Sequence, residues 1–81
     1  MRIFNLNKNY NIVCNWKSTR NGFKHVATLR KNGFSIYETK VFYLNRTYES
    51  FEYETILKKV VDANFEGKEH TKFLNVVKKF N

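Results

Sequence analysis

At 81 residues, 42% of them hydrophobic, the chain has enough apolar material for one small domain and excludes a second. A single cysteine, Cys14, excludes an intrachain disulfide, no apolar run approaches the about 20 residues that cross a bilayer, and the N-terminal Met1-Arg2-Ile3-Phe4-Asn5 lacks a signal-peptide core. A formal charge of +8 points away from cationic ligands and towards anionic ones. A soluble protein of a reducing, cytoplasmic setting is expected, with no membrane partner.

Residues 1–9 carry Ile3, Phe4 and Leu6 among Asn and Lys, a composition that suits either a short strand or an arm along a sheet edge. From Tyr10 the pattern alternates: Tyr10, Ile12, Cys14 and Trp16 are apolar, and their neighbours are mostly polar. Two Asn-Gly pairs follow, Asn21-Gly22 and Asn32-Gly33. Such pairs mark two-residue hairpin turns, because a type I′ turn needs positive φ at both central positions. They divide residues 10–45 into a three-stranded antiparallel meander.

A two-residue hairpin also sets which residues stand opposite one another. Asn21-Gly22 predicts Trp16 opposite Ala27 and Cys14 opposite Leu29. Asn32-Gly33 predicts Leu29 opposite Ile36 and Phe23 opposite Phe42. Both registers gather apolar residues on one side, together with Phe34 and Leu44. The other side is expected to carry Lys17, Lys24, Arg30, Tyr37 and Tyr43, with Arg20, Lys31 and Arg46 at its turn ends.

The third strand interrupts this scheme, because its inward positions would include Glu38 and Lys40, beside Ala27 and His25. A buried unpaired charge is costly. A bulge in that strand is one escape, and a position beyond the covering helix is another; the expected result is a solvated or mutually paired cluster of Glu38, Lys40 and His25. A proton-transfer site would need a nucleophile beside His25, and only Ser18 lies within one rung.

After Tyr48 the apolar period changes from two to about 3.6 residues. Tyr53, Ile56, Leu57, Val60 and Val61 form a stripe, and Glu49, Glu52 and Glu54 occupy the first turn, where the helix dipole favours negative charge. The spacing predicts a helix over 49–64, with Thr47 and Ser50 both competent caps. A second helix is predicted over 68–80 from Phe73, Leu74, Val77 and Phe80. The fold class is therefore α+β: a three-stranded meander, with a fourth N-terminal strand left open, one face covered by an amphipathic helix, then a C-terminal helix.

The segments Trp16 to His25 (Trp-Lys-Ser-Thr-Arg-Asn-Gly-Phe-Lys-His) and Asn45 to Thr55 (Asn-Arg-Thr-Tyr-Glu-Ser-Phe-Glu-Tyr-Glu-Thr) together form a pattern. It resembles a family of small phage and prophage proteins of unassigned function. The resemblance spans roughly Trp16 to Val61 and implies a phage setting, in the cytoplasm of an infected bacterial cell, without implying an activity. Abundant Asn, Lys, Phe and Tyr with no Pro also suits A/T-rich coding. Within the motif, Tyr48, Phe51 and Tyr53 are expected to anchor the helix start and Arg46 to pair with Glu49.

Charge location carries the functional expectation. Up to Tyr48 nine basic residues stand against one acid, whereas from Glu49 onward six meet six. The leading expectation is a non-enzymatic module that binds nucleic acid, or a host nucleoprotein, through Lys17, Arg20, Lys24, Arg30, Lys31, Tyr37, Tyr43 and Arg46. By analogy of architecture, a sheet with a helix behind it also looks like the sheet-reading DNA-binding domains of some integrases. The alternative is a host-takeover or anti-defence inhibitor, of the anti-CRISPR type, that docks on a host protein and occludes its substrate site. Catalysis is not expected: Cys14, His25 and His70 lack metal-ligand spacing, no Gly-rich phosphate loop or paired-carboxylate pocket is visible, and no cofactor is implied. Monomer and homodimer both remain open.

Overall fold

The computed structural model describes residues 1–44 and 52–80. Strands β1 (Arg2–Asn5), β2 (Tyr10–Thr19), β3 (Gly22–Lys31) and β4 (Phe34–Leu44) form one antiparallel sheet in the order β1-β2-β3-β4. Helices α1 (Glu52–Asn64) and α2 (Gly67–Lys78) follow, so the chain is α+β with a four-stranded meander. The N-terminal residues are thus a strand: Phe4 stands opposite Ile12 and is buried, while Ile3 opposite Val13 faces away from the helices. The β1–β2 loop is shaped by Asn7, whose Oδ1 accepts hydrogen bonds from the Asn9 and Tyr10 amides, both at 2.8 Å.

The Asn32-Gly33 turn forms as expected, with φ of 50° and 86°. The Asn32 amide also donates to the Asn9 carbonyl at 2.8 Å, tying two loops together. The first hairpin differs: Thr19 pairs with Gly22, so the loop residues are Arg20 and Asn21, one position earlier. Trp16 consequently stands opposite His25 and Cys14 opposite Ala27. Each partner moves by two residues, which leaves every side chain on its expected face.

β4 departs further. Lys31 pairs with Phe34 and Arg30 with Ser35, then a bulge shifts the register so that Leu29 meets Tyr37. Beyond the bulge the two faces of β4 exchange, because one added residue reverses the alternation. Tyr37, Thr39, Val41 and Tyr43 point to the helices, whereas Ile36, Glu38, Lys40 and Phe42 point away. Ile36 and Phe42, expected in the core, are 52% and 62% exposed. Burying both would have gained roughly 1.5 to 3 kcal/mol each. Burying Glu38 and Lys40 in that same register would have cost several kcal/mol per ion. The charges decide the register.

The core lies between the sheet and the helices. Ile12, Ala27 and Leu29 meet Ile56, Leu57, Val60 and Val61 of α1, all buried, with Phe73 and Val77 from α2. α1 rests on β3 and β4. α2 lies beside it towards β1 and β2, where Phe73 reaches Tyr10 (ring centroids 5.9 Å apart) and Phe80 reaches Phe4 (5.0 Å). The helices are joined through Phe65, buried against Phe73 at 4.6 Å, and through His70 Nε2, 2.7 Å from Asp62 Oδ1. α1 ends at Asn64 as expected, and α2 opens at Gly67 (φ +64°) and ends at Lys78, within two residues of expectation. Residues 45–51, and with them Glu49 and the proposed caps Thr47 and Ser50, lie outside the described residues.

Cys14 is fully buried, and burial pushes its thiol up to about 12. A thiol that stays protonated and out of solvent is unreactive. Ellman's reagent is expected to titrate no thiol in the native protein and one after denaturation; prompt native labelling would contradict the placement of Cys14.

Candidate binding face of the sheet

The side of the sheet away from the helices is uncovered by any described element. Its cross-strand rows can be read from the pairing. At one end Lys17, Lys24 and Phe42 form a row; the next holds Asn15, Val26 and Lys40; then Val13, Thr28 and Glu38; then Asn11, Arg30 and Ser35. Val13 and Val26 form a buried strip at the centre, with Ile3 beside Val13. Cations therefore frame a small apolar middle.

Of the expected site residues, Lys17, Lys24 and Arg30 share this face. Arg20 is exposed in the β2–β3 turn at the same end as Lys17. Lys31 is displaced: it pairs with Tyr10 on the helix side, its Nζ 5.7 Å from the Tyr10 ring centroid. Tyr37 and Tyr43 are also on the helix side, carried there by the bulge, and Tyr43 packs 5.4 Å from Trp16. Arg46 lies outside the described residues, as do Tyr48 and Phe51. In place of the tyrosines the outer face presents Lys40, Ile36 and Phe42. Both sets in β4 mix apolar and polar residues, and the one sequence signal that separated them was the charge at Glu38 and Lys40.

The electrostatics of the face are uneven. Lys40 Nζ lies 3.6 Å from Glu38 Oε1, both side chains about half exposed, so this pair is nearly neutral. The Arg30 guanidinium donates from Nη2 to the Gly33 carbonyl at 3.2 Å, which steadies it at the turn. Lys17 and Lys24 stand directly opposite each other, and neither makes an ion pair among the described residues. Like charges directly across a strand pair destabilise the sheet, so this row stores a repulsion that an anion would relieve.

The expected Glu38, Lys40 and His25 cluster is divided by the sheet. His25 is on the helix side with 0% exposure, stacked on Trp16 (centroids 4.1 Å, planes 17° apart) and met edge-on by Tyr53 at 5.1 Å. Neither ring nitrogen has a hydrogen-bond partner among the described residues. Burial lowers its pKa from the ordinary 6.5 to about 4, so the imidazole is neutral at physiological pH. A ring sealed beneath Trp16 and Tyr53 has no access to a substrate. Among the described residues no group of three or more His, Cys, Asp and Glu side chains converges on one point, and no helix is long and apolar enough to cross a membrane.

No family model, no curated protein and no solved structure matches the chain.

Proposed function

We propose that the chain is a small non-enzymatic binding protein of phage type whose outer sheet face takes nucleic acid, free or within a host nucleoprotein. The observation that carries this reading is the Lys17–Lys24 pair, without an acidic partner among the described residues, flanked by Arg20 and Phe42 and continued by Lys40 and Arg30 on the same face. Phosphates would neutralise the cations, and the exposed Phe42 ring, in line with Lys17 and Lys24, offers a surface on which an unpaired base can stack. The concentration of the whole excess charge in the sheet half supports the same reading.

A fluorescence-anisotropy titration of single- and double-stranded oligonucleotides across a salt series tests it. Three phosphate contacts, by Lys17, Lys24 and Arg30, with Lys40 held by Glu38, predict a log affinity against log salt slope of about −2 for single strands, or roughly 16-fold weaker binding in about fourfold more salt. Absence of binding at low salt, or a slope near zero, would refute the reading. Recovery of one host protein from nuclease-treated lysate, with no oligonucleotide affinity, would instead favour occlusion of a host protein.

A further inference from the structure

β4 is the longest strand and an edge of the sheet. Among the described residues no strand pairs with its outer side, and a long unpaired edge without Pro is a template for another chain. The two-residue turn makes Lys31 and Phe34 a hydrogen-bonded pair, so the odd-numbered residues of β3 direct their backbone groups to β4. Beyond the bulge their partners are Tyr37, Thr39 and Val41. By alternation Glu38, Lys40 and Phe42 direct their N–H and C=O groups to the open edge.

We propose that β4 pairs antiparallel with β4 of a second copy of this chain, about a two-fold axis at Thr39, to make one continuous sheet. In that register Glu38 faces Lys40 of the second copy, Lys40 faces its Glu38, and Ile36 faces its Phe42. The edge is self-complementary in charge and in apolarity, as an isologous interface must be. Moving the axis to the neighbouring allowed positions, Glu38 or Lys40, would set two like charges directly opposite on that axis. The Lys40–Glu38 pair of each chain, 3.6 Å apart, becomes half of a four-charge alternating ladder. Ile36 and Phe42, large apolar side chains left open by the bulge, come together at both ends of it. The axis runs normal to the sheet, so the two outer faces stay on one side and adjoin. This pairing stands independently of any nucleic-acid affinity.

Sedimentation velocity on the full chain over a concentration series reads the result. The wild type is expected to dimerise, Glu38→Lys and Lys40→Glu each to weaken the dimer about tenfold or more, and the double exchange to restore it. Circular dichroism checks that each variant is folded. Thr39→Cys adds a geometric readout: the two Thr39 residues form a non-hydrogen-bonded pair with Cα atoms about 4.5 Å apart, within disulfide reach. Oxidation should therefore give a covalent dimer, while Lys59→Cys on α1 should not. A wild type that stays monomeric up to roughly 0.5 mM, single exchanges that leave the dimer intact, or a dimer that Thr39→Cys fails to lock would each overturn the proposal.

Discussion

Acidification from about pH 7 to about pH 4 is expected to cost the native state roughly 2 to 3 kcal/mol through His25 alone. The sign follows from proton counts. In the unfolded chain His25 titrates near 6.5, and in the native state burial holds it down to about 4. Between these values the unfolded chain binds a proton that the native protein does not, so stability falls as pH falls through that window and is level above it. Urea unfolding at a series of pH values, with His25→Leu as the comparison, isolates the effect from that of every other ionisable group. The difference between the two pH profiles should grow steadily from about pH 6.5 downward; parallel profiles would mean that His25 is solvated or paired. The variant also removes two ring nitrogens unsatisfied among the described residues, so at neutral pH little loss of stability is expected.

The second large effect separates the two faces of the sheet. Leu29→Ala and Ile56→Ala each empty a fully buried site and are expected to cost about 2 to 5 kcal/mol. Phe42→Ser, at a residue as apolar but 62% exposed, should change stability by under about 1 kcal/mol. Without the bulge, Phe42 would join the core and Tyr43 would leave it, and the Phe42 substitution would cost as much as the others. Chemical denaturation of the three variants therefore reads the register directly.

Much of this fold was legible in the residues, and the exceptions have physical causes. Asn32-Gly33 could be placed because positive φ at two successive positions is costly for other residues. Asn21-Gly22 was misplaced by one position, yet the faces survived because the partner shift was even. The 3.6-residue stripe of Ile56, Leu57, Val60 and Val61 led directly to α1. β4 resisted because Ile36 and Phe42 on one side match Tyr37, Val41 and Tyr43 on the other in apolar content. Alternation alone cannot choose between two amphipathic faces; the desolvation of Glu38 and Lys40 does. The outer face inherited that ambiguity: Lys17, Lys24 and Arg30 of β2 and β3 lie on it as expected, whereas Phe42 of β4 stands there in place of Tyr37 and Tyr43. Phe65, between the two predicted helices and outside both apolar stripes, is buried in the fold against Phe73.

The central claim is that positive charge acts from one particular face of this sheet. Two double variants with the same change in net charge test it: Lys24→Glu with Arg30→Glu on the outer face, and Lys58→Glu with Lys59→Glu on exposed positions of α1. In low-salt anisotropy titrations with a single-stranded oligonucleotide, the sheet variant should lose about tenfold or more in affinity and flatten the salt slope, and the helix variant should stay near the wild type. Equal losses in the two variants would reduce the interaction to net charge and contradict the account.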